Sequence, residues 1–234
     1  MFKIIQNNKV VDIVRVPRFI SFLPSGHVTI TDKTSAQGIV GSDNQTIYSF
    51  KQVSKAGIQI ASIEEISLEE FNRLYGLLNS GQEVSADESA LEAAKQAVIK
   101  RLSRICKDKI TKGFSVKLSD GDTYHFKLTT EDQLNLMVIE NQINSENETF
   151  IYHATEQPCR FFNKEDMTKI IKTFKSYTLY HTTYFNAAKQ YIKSLTDIEK
   201  VKLFTYGTDI SSTVDDITLR QIIKNGGGVE WKQE

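Results

Sequence analysis

Phe114-Ser115-Val116-Lys117-Leu118-Ser119-Asp120-Gly121-Asp122-Thr123-Tyr124-His125-Phe126-Lys127-Leu128 is the stretch that decides the fold class. Phe114, Val116 and Leu118 alternate with Ser115 and Lys117. Tyr124, Phe126 and Leu128 alternate with His125 and Lys127. Alternation at period two predicts two half-buried strands, and Asp120-Gly121 between them supplies the turn. One face of this hairpin is apolar and needs a cover. The flanking sequence is helical, so the expectation is an α+β fold.

Downstream, Thr130-Glu131-Asp132-Gln133 predicts a capping box that opens a helix to about Asn144. Phe150–His153 reads as a short strand, and Pro158 followed by Cys159-Arg160-Phe161-Phe162 as a turn into another. Asn163 is expected to cap the longest helix, running to about Leu195, with Asp166 suited to its first turn. Met167, Ile170, Ile171, Phe174, His181 and Ile192 fall on its apolar face. At ~1.5 Å per residue such a helix spans about 48 Å, which exceeds a compact domain of this size. Part of it is therefore expected to pack outside its own domain. Ser211–Asp216 resembles a further helix start. Gly226-Gly227-Gly228 then leads to a tail carrying the only tryptophan, Trp231.

Upstream, Leu91, Ala94, Val98, Leu102 and Ile105 recur at helical spacing and predict an amphipathic helix from about Ser89 to Thr111. Ser80–Glu88 is polar with a glycine, and is expected to link two domains. Before it, residues 1–66 hold short β-branched runs separated by turn signals such as Asn7-Asn8 and Pro24-Ser25-Gly26. They predict a small antiparallel β unit. Ser67-Leu68-Glu69-Glu70 predicts a capping box for one helix at its end. The expected organisation is a β-rich domain 1–80 ending in a helix, a helix-hairpin-helix domain 88–200 with one long helix, and a C-terminal arm 201–234.

The 234 residues carry 29 basic and 29 acidic side chains and are 40% hydrophobic. This is a globular composition with no general attraction for polyanions. The N-terminus lacks a signal-peptide pattern and no apolar run approaches the ~20 residues of a membrane helix, so synthesis in a cytoplasm without membrane insertion is expected. Cys106 and Cys159 stand far apart in sequence and read as reduced thiols.

No residue pattern points to catalysis. His27, His125, His153 and His181 have no ligand-spaced Cys, Asp or His partner, so no metal is expected. His181 lies on the apolar stripe and reads as a satisfied core histidine. No nucleophile elbow or P-loop is present, and Gly113-Phe114-Ser115 lacks the second glycine of a phosphate loop. The acidic pairs Glu69-Glu70 and Asp215-Asp216 sit where helices start and suit the helix dipole. No catalytic residue and no cofactor is assigned. Tyr177, Tyr180, Tyr184 and Tyr191 surround the stripe of the long helix. With Trp231, they are the candidate interface residues, because aromatic side chains with a polar handle are favoured there. Lys95, Lys100, Arg101, Arg104, Lys107, Lys109 and Lys112 make the preceding helix basic, and a solvated face is the ordinary explanation.

Gly121-Asp122-Thr123-Tyr124-His125-Phe126, Glu131-Asp132-Gln133-Leu134-Asn135-Leu136-Met137, Asn163-Lys164-Glu165-Asp166-Met167 and Ala187-Ala188-Lys189-Gln190-Tyr191-Ile192 follow one pattern. It consists of a basic helix, a hairpin ending Gly-x-x-Tyr-x-Phe, a short helix, a strand and an Asn- or Asp-capped long helix. On these residues, about 90–200, the chain resembles an uncharacterised domain family of tailed-phage genomes found among tail, baseplate and tail-fibre genes. Phe161-Phe162 stand where that family often has tryptophan. Ala36–Asp43 is also similar to a segment of small phage proteins. The resemblance implies a context, the virion or its assembly, and no activity. The expectation is a non-enzymatic component of a tailed-phage tail, baseplate or head–tail neck. It would be made in the host cytoplasm, homo-oligomeric, and in contact with other phage structural proteins, with neither membrane nor nucleic acid as partner. The alternatives are a soluble assembly factor such as a tail-fibre chaperone, and a nucleic-acid-binding protein using the helix Lys95–Lys112.

Overall fold

A computed structural model describes residues 1–25, 27–51, 58–143, 148–215 and 217–224. The chain divides into two units, Met1–Ala93 and Ala94–Glu234. Helices and mainly antiparallel sheets make it an α+β protein, with the β elements of the first unit followed by a helix-hairpin-helix unit.

In the first unit β1 (Phe2–Gln6) and β2 (Lys9–Val14) form a hairpin. Its turn holds Asn7 and Asn8 at φ 49° and 62°. Asparagine tolerates this left-handed pair where β-branched residues do not. β3 (Phe19–Phe22), β4 (Val28–Ile30), β5 (Gly38–Val40), β6 (Ile47–Ser49) and β7 (Ile58–Ile60) build a second sheet in the order β4-β3-β5-β6-β7. β8 (Ser62–Glu65) returns beside β1, giving a three-stranded sheet β2-β1-β8. The expected antiparallel unit is corrected at one place: β6 and β7 pair in parallel. Phe2, Ile4 and Val14 share a core with Phe19, Ile39 and Tyr48 of the five-stranded sheet. The opposite side of β2, Val10 and Ile13, packs with Leu74 of α1 (Leu68–Asn79).

Ser67 caps α1 by accepting the Glu70 N–H at 3.1 Å. Glu70 does not complete the expected capping box. Its buried carboxylate receives two bonds from Arg73 at 2.8 Å and one from Ser89 Oγ at 2.6 Å. Lys3, also buried, bonds Ser89 at 3.4 Å and Glu64 at 2.9 Å. Local pattern shows only the Glu70–Arg73 pair of this network, because Lys3 and Ser89 join it from far away in sequence.

The stretch 80–88 is not a free linker. Val84 is buried with Val10, Ile13 and Leu74, its carbonyl accepts the Val10 N–H at 2.8 Å, and Ala86 N–H donates to Asn8 O at 2.8 Å. One apolar side chain in a polar run was enough to anchor the segment to the β1–β2 hairpin. The division between units falls at 93/94, inside α2 (Ala86–Lys112).

In the second unit β9 (Phe114–Lys117) and β10 (Thr123–Phe126) form the expected hairpin, with Phe114 opposite Phe126 and Val116 opposite Tyr124. Gly113 makes the sharp step from α2 into β9 at φ +82°, and a Cβ there would stand 1.8 Å from Phe126 O. α3 (Thr130–Ile143) follows, then a second hairpin of β11 (Thr149–Tyr152) and β12 (Arg160–Asn163). The capping box of α3 lies one residue earlier than expected: Thr129 Oγ1 accepts the Asp132 N–H, and Asp132 accepts the Thr129 N–H. α4 (Lys164–Ser194) is capped by Asn163, which accepts the Asp166 N–H at 2.7 Å. The two hairpins, α3 and the first half of α4 enclose one core, including Phe114, Phe126, Leu136, Phe162 and Met167.

The second half of α4 is covered within the unit Ala94–Glu234, by α2 and by residues 204–224, the stretch expected to form a C-terminal arm. α2 runs antiparallel along it, from Lys95 Nζ on Lys193 O at 2.8 Å to Tyr177 Oη on Lys109 O at 2.8 Å. After α5 (Ile198–Leu203) the chain folds back over α4 through Phe204–Ile210, a 3-10 turn at Ser211–Thr213, and α6 (Ile217–Lys224).

Candidate functional site

The tyrosines singled out from sequence do line α4, but most of their surface is already used. Tyr184 is 2% exposed. Its hydroxyl donates to Thr208 O at 2.9 Å and accepts the Gly207 N–H at 2.8 Å. Tyr177 is buried against Phe114, with ring centroids 6.0 Å apart. Tyr180 is half-buried beside His181 and Tyr184, and Tyr191 is half-buried against Phe204 at 5.7 Å. Tyr177 and Tyr184 are therefore withdrawn as interface residues: Tyr177 belongs to the hairpin core and bonds Lys109 O, and the segment 204–210 folds onto Tyr184. Trp231 lies outside the described residues.

The returning segment closes a polar cluster that sequence reasoning did not assemble. His181 Nδ1 lies 3.0 Å from Tyr206 Oη, and Cys106 Sγ donates to His181 O at 3.4 Å. Burial, with a smaller effect of the Lys109 charge, holds the imidazole down at about 4. Burial likewise pushes the Cys106 thiol and the Tyr206 phenol up. At neutral pH all three groups are uncharged. A protonated, buried thiol is a poor nucleophile. Their hydrogen bonds hold the segment on α4, in agreement with reading His181 as a core histidine. Tyr206 could not be placed from sequence, because α5 is too short for periodicity to reveal the fold-back.

A second cluster joins the hairpins. The Arg160 guanidinium lies over the rings of Tyr124 at 4.1 Å and Phe162 at 4.5 Å, and donates to Tyr124 Oη at 2.9 Å. Tyr124 donates to Asp120 at 2.8 Å. That bond, with the Asp122 N–H and the guanidinium, holds the Asp120 carboxyl below its usual range. Asp166 is buried and accepts both the N–H and the hydroxyl of Ser119. These residues tie turn to turn and helix start to hairpin.

Two cations of the basic helix serve the fold: Lys95 on Lys193 O, and Arg101 on Phe204 O at 2.5 Å. Arg104, Lys107, Lys109 and Lys112 are exposed. Among the described residues no group of three His, Cys, Asp or Glu side chains is placed to hold a metal ion, and no helix is long and apolar enough to cross a membrane.

Among the described residues, two exposed surfaces of the second unit are apolar. On the second hairpin Ile151 and Phe161 face one another across the strands, 61% and 70% exposed, while Phe150, Tyr152 and Phe162 point into the core. A strand normally presents polar side chains on its outer face; here that face carries the apolar pair beside Thr149 and Asn163. α3 likewise leaves Leu134, Met137 and Val138 exposed opposite its buried Leu136 and Ile139. No protein-family model, curated protein or solved structure matches the chain. The phage resemblance therefore rests on the quoted residues alone.

Proposed function

We propose that the chain is a non-enzymatic structural component of a tailed-phage virion, in the tail, baseplate or head–tail neck, acting through protein–protein contacts in a symmetric assembly. The observation that carries the contact reading is the exposed cross-strand pair Ile151–Phe161 on a hairpin whose other face is core. Apolar side chains of this size, adjacent and uncovered, mark surfaces that meet another protein. The phage context is supported by the resemblance of residues about 90–200. The titratable groups of the buried clusters, Glu70, Asp166 and His181, are bonded to neighbours that hold the fold, which suits a scaffold. Mass spectrometry of gradient-purified particles tests the reading. The protein should be retained in particles; presence in infected lysate but absence from particles would instead identify an assembly factor.

A further inference from the structure

The first unit carries a groove between β2, the loop 41–44 and α1. It has a volume of about 510 Å³, within the range of pockets that take small ligands or short peptide segments. β2 is the outer strand of its sheet. Its outer edge is covered by the 84–86 segment only as far as Val10. Further along, Asp12 occupies the Ile13 N–H at 2.8 Å and the Ser42 N–H at 2.8 Å, which fixes the loop 41–44 as one wall. α1 supplies the other wall, where Phe71 and Tyr75 stack at 6.2 Å with 17° between their planes. Tyr75 is 57% and Val16 78% exposed. Arg15, also in the lining, makes no hydrogen bond or ion pair among the described residues, whereas Arg18 is held by Asn44.

A half-buried Phe71 stacked on an exposed Tyr75, an exposed valine and a guanidinium without a partner among the described residues define the occupant: a segment with a large apolar side chain and a carboxylate. This chain contains one outside the described residues. Gly226-Gly227-Gly228 is followed by Val229-Glu230-Trp231, apolar-acidic-aromatic, with the only tryptophan. We propose that Val229-Glu230-Trp231 of one copy docks in this groove of a second copy, Trp231 on the Phe71–Tyr75 wall and Glu230 at Arg15. Groove and segment are different surfaces, so the contact is heterologous. Repeated head to tail it closes into a ring or runs as a filament. The proposal rests on the multi-copy reading of the chain and names the contact that would build it.

The lone tryptophan reports on its own docking. In the full-length protein, Trp231 emission should move to shorter wavelength as concentration rises, in step with an increase in sedimentation coefficient. Arg15→Glu and Tyr75→Ala, both at exposed side chains, should each weaken association about tenfold or more. Arg15→Glu combined with Glu230→Arg should restore it. Trp231→Ala should remove it. The proposal is overturned by emission that stays solvent-like at every concentration, or by a blue shift independent of concentration, which places the segment within one chain. Undiminished association of Trp231→Ala overturns it too, since something else then makes the contact. None of these outcomes depends on whether the protein is found in purified particles, so the two readings fail separately.

Discussion

Phe126 is 1% exposed and meets Phe114, Tyr152 and Phe162 at centroid distances of 5.8–6.2 Å. Truncation there opens a cavity among rings held by three other strands. Phe126→Ala should cost about 3–5 kcal/mol in chemical denaturation; a loss below about 1 kcal/mol would mean that the hairpin face is open. Gly113→Ala should cost about 2 kcal/mol or more, because the left-handed step is strained for any Cβ and the added atom meets the Phe126 carbonyl. That glycine looks unremarkable in sequence, where it fails as a phosphate loop. Its need follows only once α2 and β10 are placed together. His181 gives a pH dependence with a definite sign. Its folded pKa is lowered from 6.5 to about 4, so the unfolded chain takes up the proton first as pH falls. This contribution is fully present above about pH 6.5 and is lost on the way to pH 4, on the order of 2–3 kcal/mol. In His181→Gln that part of the stability–pH slope should disappear from denaturation curves measured between pH 4 and 7.

At the scale of elements, period-two alternation and helix caps carried most of the information. The 114–128 hairpin, the Asn163–Asp166 start of α4 and the Asn7-Asn8 turn are local events, each decided within a few residues, and all were legible. The β6–β7 parallel pairing, α5 and the fold-back of 204–210 were not, because non-local packing decides them. The same limit explains the tyrosines. A widened aromatic stripe shows that something covers the helix, but not whether the cover comes from the same chain. The short β11 and β12 carry too little period-two signal to show that Ile151 and Phe161 both fall on the outer face. Ile151→Ser with Phe161→Ser should leave the unfolding free energy within about 0.5 kcal/mol of wild type, since both side chains are exposed. If the outer face is a contact, the double variant should still lose co-purification with the particle. A large stability loss would instead show that the pair is part of the fold.

For the whole molecule, two units come from one continuous chain, and the polar stretch that suggested a linker is stitched to the first by Val84. Composition and charge balance point to the globular class and no further, since a surface that acts through contacts has no residue signature comparable to a metal or nucleotide motif. The central claim is that the chain is a repeated structural subunit of a particle. It is tested most directly by absolute quantification of the protein in gradient-purified virions, with isotope-labelled peptides standardised against the major capsid protein. The account predicts a fixed whole number of copies per particle, greater than one and matching the symmetry of a tail, baseplate or neck ring. A variable or sub-stoichiometric amount that falls with each round of purification would contradict it.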